Sequence, residues 1–266
     1  MVADGTVHPG GLRGAPAAVA GPVQRLARLL AAALVLLAGI PVALAMSAAH
    51  GVRRAEVTRI WAGLLLRALG IRLKITAEVA PEGALLVANH ISWLDPLVMA
   101  AAVPSRPLAK REVGEWPVIR TLAAGSGALF IDRNRLYELP SAVATIADAL
   151  RAGDTVIAFP EGTTWCGRGM GQFRPAVFQA AIDAGAAVRP ATLRYFEGES
   201  PSTRSCYVGD DSLLASFLRV AATRNLVVEV TILAPVWHDA RAGLARIAEA
   251  QVRTGVLDSH QVPAKY

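Results

Sequence analysis

The sequence predicts an α/β fold: a mixed, largely parallel sheet covered by helices, preceded by an N-terminal membrane-associated helical element. Three observations carry that prediction. An uncharged run of 21 residues, Leu29 to Ala49, lies near the start of the chain. Beyond Gly70 come seven short runs with β-branched residues, several bounded by Gly or Pro. Helical patterns alternate with those runs, which is how parallel strands with both faces covered are written in sequence.

The first segment, residues 1–24, is rich in Gly, Ala and Pro, lacks periodicity and is expected to be a disordered tail. Residues 25–69 read as a membrane-anchoring helical segment. At about 1.5 Å per residue, a helix over the uncharged run crosses roughly 30 Å, the thickness of a bilayer core. Pro41 lies inside the run and is expected to kink it. In residues 53–69, Val57, Ile60, Trp61, Leu64, Leu65 and Ala68 form one helical stripe, with Arg53, Arg59 and Arg67 off it. Such a basic amphipathic helix suits an anionic bilayer surface; packing on the protein's own core is the alternative.

Arg53, Arg54, Arg59 and Arg67 outnumber Arg25 and Arg28. The positive-inside rule then puts the rest of the chain on the cytoplasmic side of the cell membrane. A single span and a kinked hairpin that dips in and returns both fit. Ala43-Leu44-Ala45 resembles a signal-peptide cleavage site, but the apolar run is long and its basic start lies well inside the chain.

Residues 70–266 read as one catalytic domain. Its strands are expected at 71–75, 84–88, 107–109, 128–131, 155–159, 188–194 and 226–233. Its helices are expected at 96–102, 115–123, 140–151, 175–184, 212–222 and 240–255. Composition excludes several classes. With 53% hydrophobic and 18% charged residues the chain is not disordered. Two cysteines, Cys166 and Cys206, make neither a disulfide scaffold nor a Cys-rich zinc module. The net charge of +6 favours an anionic partner, but the arginines are dispersed and aromatics are 6%, so nucleic acid is not expected.

Three segments carry chemistry. In Asn89-His90-Ile91-Ser92-Trp93-Leu94-Asp95-Pro96, His90 ends an apolar strand and Asp95-Pro96 opens a helix. A turn between them can bring the carboxylate to one imidazole nitrogen, leaving the other free to accept a proton from an alcohol. In Gly127-Ala128-Leu129-Phe130-Ile131-Asp132-Arg133-Asn134-Arg135, charges emerge at a strand end, and arginine there suits phosphate. In Phe159-Pro160-Glu161-Gly162-Thr163-Thr164, a carboxylate and a glycine come after a third strand. Singly these segments read as a helix cap, a solvated loop and a turn.

Together and in this order they resemble the glycerolipid acyltransferase family typified by lysophosphatidic acid (1-acylglycerol-3-phosphate) acyltransferases. Asn89, His90 and Asp95 match its N-H-x4-D block. Gly127 with Phe130 to Arg133 matches the second block, Phe159 to Thr163 the third, and Pro190 a fourth. Lys110 falls at the basic position between the first two.

The resemblance implies that His90 is the base and Asp95 its partner. It implies that Lys110, Arg133, Glu161, Gly162 and Thr163 bind substrate, with Asn89 and Ser92 completing that site and supporting its loop. A fatty acyl group would pass from acyl-CoA or acyl carrier protein to the free hydroxyl of a lysophospholipid. No metal and no resident cofactor are implied, since a thioester is already activated. The third block departs from the family in placing Thr164 where arginine is usual. The next stretch, Trp165-Cys166-Gly167 and then Phe173-Arg174-Pro175, is similar to relatives that acylate lyso-ornithine lipid or other non-phosphate acceptors. Arg168 or Arg174 is then the candidate for the missing charge. The rival readings are a thioester or ester hydrolase and a catalytically silent lipid-binding membrane protein.

Overall fold

The computed structural model describes residues 19–46, 52–77, 83–110, 117–131, 139–209 and 211–257. Two helices come first, α1 (Pro22–Met46) and α2 (Val52–Ala68). Then strands and helices alternate: β1 (Arg72–Ala77), β2 (Leu85–Ala88), α3 (Asp95–Ala102), β3 (Arg106–Lys110), α4 (Pro117–Gly125) and β4 (Leu129–Ile131). The chain continues through α5 (Leu139–Arg151), β5 (Val156–Ala158), α6 (Ala176–Ala184) and β6 (Val188–Glu197). It closes with β7 (Ser200–Pro201), α7 (Leu213–Ala222), β8 (Leu226–Ile232) and α8 (Arg241–Leu257).

The eight strands form one sheet in the order β1-β8-β6-β2-β5-β3-β4, with β7 beside β6. The β6–β8 and β6–β7 pairs are antiparallel and the other pairs are parallel. Burial follows from this. All four residues of β2 are buried, because both faces of a central parallel strand are covered. Leu86 and Ala88 join Ile157 in one core, with Leu65 and Leu66 of α2, Val98 and Met99 of α3, and Val220 and Ala221 of α7. Leu85 and Val87 join Val156 and Ala158 in a second core on the opposite face, with residues of α5, α6 and α8. The period of two that alternates side chains across a strand divides the two cores.

The N-terminal expectation needs correction at both ends. Residues 1–18 lie outside the described residues, but 19–24 are not a free tail. Val19 bridges Thr223, the Ala20 N–H bonds to the Ala222 carbonyl at 2.8 Å, and α1 starts at Pro22. Arg28 Nη1 donates to the carbonyls of Ala221 and Thr223 at 3.0 and 2.7 Å. These are the orphan acceptors that the end of α7 leaves. Helix α1 continues through Pro41.

One side of α1 is small and buried: Ala32, Gly39 and Ala43. A Cβ on Gly39 would lie 2.4 Å from Trp61 Nε1, so only glycine admits the indole, which donates to the Val35 carbonyl at 3.1 Å. The other side exposes Val23, Leu26, Leu30, Leu34, Leu37 and Leu44, Leu34 to 70%. Among the described residues α1 is the helix long and apolar enough to cross a membrane.

Helix α2 divides the expected stripe between the core and the outside. Thr58, Ala62, Leu65 and Leu66 are buried, whereas Ile60 and Leu64 of the stripe are 58% and 49% exposed. Periodicity located the helix; the partner surface, not the stripe alone, set its rotation.

Candidate active site

Strands β6, β2, β5, β3 and β4 are neighbours and run parallel, so the segments leaving their C-terminal ends meet along one edge of the sheet. That edge is where open α/β sheets hold ligands. Asn89-His90 leaves β2, Lys110 ends β3, Ile131 ends β4 and Phe159 to Glu161 leaves β5. Arg133, with Asp132 and Arg135, lies outside the described residues, as does the side chain of Lys110.

His90 and Asp95 come together. His90 Nδ1 is 2.8 Å from Asp95 Oδ2. The turn between them makes this possible. Oδ2 also accepts the N–H groups of Ile91 at 2.6 Å and Ser92 at 2.8 Å, so the chain wraps the carboxylate. Asp95 sits in the first turn of α3, where the helix dipole favours negative charge. Its side chain is fully buried, and that of His90 is 18% exposed. The carboxylate assigns the imidazole proton to Nδ1. Nε2 has no protein partner among the described residues. The ring stacks on Phe159 of the third block, centroids 4.4 Å apart.

Glu161 braces this turn from below. Its Oε1 accepts the His90 N–H at 2.8 Å and its Oε2 the Gly171 N–H at 2.7 Å. Burial pushes its carboxyl up to about 7, against the two backbone N–H groups and the His90 ring, which hold it down. Asn89 does a strand's work without a strand. The ladder between β2 and β6 stops at Ala88 and Ala191. The Asn89 amide then continues the pairing, donating to the Leu193 carbonyl at 3.0 Å and accepting the Leu193 N–H at 2.8 Å.

These contacts place the residues of the expected substrate set. Asn89, Ser92 and Glu161 are buried, and their polar atoms are used by the protein. They shape the site from within the fold. Gly162 takes a left-handed φ of +77°, and the Arg174 guanidinium lies 3.2 Å from where its Cβ would be. Thr163 is exposed beside it. Thr164, at the position the family gives to arginine, donates its hydroxyl to the Tyr207 carbonyl. The neighbouring Trp165 and Tyr207 N–H groups bond to the carbonyls of His90 and Ile91 at 2.8 and 3.0 Å. Next to the turn opens a cavity of about 610 Å³, lined by Ile91, Arg168, Arg194, Tyr195, Phe196 and Leu257 among others.

Sequence reasoning missed Tyr195. Its hydroxyl donates to Asp95 Oδ1 at 2.6 Å. The available signal was a tyrosine on the inward register of a buried strand, where a phenol needs a partner.

Comparison with known proteins agrees with this geometry. Residues 71–194 match the family model described as Acyltransferase. The 1-acyl-sn-glycerol-3-phosphate acyltransferase of Neisseria gonorrhoeae is 36% identical over 62% of this chain and 66% of its own length. The lyso-ornithine lipid O-acyltransferase of Pseudomonas aeruginosa is 33% identical over 77% of this chain and 80% of its own. The crystal structure of PlsC, the 1-acyl-sn-glycerophosphate acyltransferase of Thermotoga maritima, superimposes with a TM-score of 0.68 at 17% identity, covering 91% of this chain and 97% of that one. That likeness establishes the fold, and the sequence relatives establish the kinship. The chain belongs to the acyltransferase family that includes the 1-acyl-sn-glycerol-3-phosphate acyltransferases and the lyso-ornithine lipid O-acyltransferases, and it is an acyltransferase.

Proposed function

We propose that this enzyme moves a fatty acyl group from acyl-CoA or acyl carrier protein to the free hydroxyl of a lysophospholipid, 1-acylglycerol-3-phosphate. The observation that carries the reading is the His90–Asp95 pair, one nitrogen bonded to a buried carboxylate and the other open. Nε2 takes the acceptor's hydroxyl proton as its oxygen attacks the thioester carbonyl. Asp95 stabilises the imidazolium that forms. Collapse of the tetrahedral intermediate expels the thiolate, which takes the proton back from His90. No residue is acylated, so donor and acceptor bind together and sequential kinetics are expected. Arg133, with Lys110, holds an anionic group of the substrate, and Thr163 beside Gly162 meets the acceptor.

A second reading has support of its own: O-acylation of lyso-ornithine lipid or another non-phosphate lyso-lipid. Thr164 replaces the arginine expected beside a phosphate and spends its hydroxyl on Tyr207. The Pseudomonas relative covers more of this chain than the gonococcal one.

The exposed leucine face of α1 suits a bilayer, and the charge bias of the flanks suits the cytoplasmic side of the cell membrane. The buried small-residue face holds α1 along the domain, which favours a helix lying in the interface over one crossing it.

The test is incubation of purified enzyme with labelled acyl-CoA or acyl carrier protein and a panel of lyso-lipids, lysophosphatidate and lyso-ornithine lipid included. Acyl transfer that depends on a lyso-lipid is expected, and the best acceptor identifies the head group. Acyl release without any acceptor overturns transfer in favour of hydrolysis.

A further inference from the structure

The first-block turn is held at both ends by one strand. Asn89, at its start, is clamped by the backbone of Leu193. Asp95, at its end, is met by the side chain of Tyr195, two residues further along β6. The phenol is buried with its hydroxyl 2.6 Å from Oδ1, the carboxylate oxygen that His90 does not touch. Oδ2 carries the three nitrogen contacts of the turn, from His90, Ile91 and Ser92. Tyr195 is thus the partner on the second oxygen. The phenol is itself fixed: its carbonyl accepts the Ser202 N–H at 2.8 Å, and it stands opposite Val228 in the β8 register.

We propose that Tyr195 is a positioning residue for acyl transfer: its hydroxyl bond to Asp95 Oδ1 sets the orientation of the carboxylate and the basicity of the His90–Asp95 pair. This rests on the reading of His90 as the base. A buried carboxylate with one oxygen unpartnered is destabilised as an anion, and its pair with histidine binds a proton more tightly. The Tyr195 bond opposes that by giving the second oxygen a donor. Burial and the neighbouring Asp95 charge push the phenol well above its ordinary range, which keeps it a donor.

The test uses the full-length enzyme in detergent micelles with Tyr195→Phe, which keeps the ring and removes the donor. Two readouts are taken: the pH profile of kcat/KM, and the His90 imidazole titration followed by NMR, assigned by its loss in His90→Ala. With Tyr195→Phe, kcat is expected to fall about tenfold. The acid limb and the His90 titration are expected to move upward by half a pH unit or more. Replacement of Tyr195 by 3-fluorotyrosine, a stronger donor, is expected to move both downward. A profile and titration unchanged in both variants overturn the proposal, even if thermal stability drops. The NMR titration needs no turnover, so it separates failure of this inference from failure of the acyl-transfer reading, in which wild-type enzyme itself transfers nothing.

Discussion

The Glu161 carboxylate accepts the backbone N–H of His90 at 2.8 Å, so the third sequence block holds the first by its main chain. Seventy-one positions separate the two residues. The brace is a titratable group, and this gives it a pH signature. Because burial raises the Glu161 carboxyl to about 7 from an ordinary 4.5, the folded protein keeps a proton between those values that the unfolded chain releases. The contribution to stability is therefore fully present below pH 4.5, falls as pH rises towards 7, and levels off above. The span corresponds to a loss on the order of 3 kcal/mol. Denaturant unfolding across that window is expected to show the decline, and Glu161→Gln is expected to flatten it.

His90→Ala is expected to remove nearly all transfer. Loss of a positioned base typically costs a factor of about 100 to 10,000. Binding to vesicles is expected to stay intact, because α1 and the His90 turn occupy separate parts of the fold. Turnover of the purified variant close to wild type would refute the assignment of the base.

Asn89 lends itself to a stability measurement. Its substitution by Ala leaves the buried N–H and carbonyl of Leu193 without partners. The expected cost is about 2–4 kcal/mol in unfolding free energy, since each orphaned group carries a desolvation penalty. Activity is expected to fall alongside, because His90 is the next residue. A variant as stable as wild type argues against the clamp.

The lipid-facing side of α1 can be tested apart from chemistry. Each leucine moved from water into an apolar phase is worth about 1.5–3 kcal/mol. Leu30→Glu with Leu34→Glu is expected to weaken vesicle binding at least about 100-fold, by that arithmetic. The circular dichroism of the domain is expected to be unchanged. Sedimentation with liposomes reads the effect, and equal binding by the variant assigns the face to something other than lipid.

Much of the architecture was legible in the residues. Seven strands and six helices of the domain stand where β-branched runs and helical spacing put them, because burial on two faces leaves a plain local record. The two-residue β7 left none. The order of the strands was not readable, since it depends on pairings between distant segments. At the site, the His90–Asp95 pair was visible as a spacing within one turn. The tasks of Asn89 and Glu161 were not, because their partners are backbone groups 104 and 71 positions away. Tyr195 was hidden for the same reason: it meets Asp95 across 100 positions. The stripe of α2 is divided between the two destinations open to it: Leu65 packs in the core, and Ile60 and Leu64 stay outside.

The bond from Arg28 to the Thr223 carbonyl spans 195 positions, which gives the protein's birth an order in time. While the ribosome is still reading the middle of the message, α1 has emerged and its docking carbonyls do not yet exist. The small-residue side can already meet Trp61 of α2, but the end that Arg28 ties down is loose, and the leucine side stays exposed. A nascent chain released before residue 223 keeps α1 without the clasp of Arg28 on the end of α7. The start of the chain is therefore fastened in place only when its far end arrives.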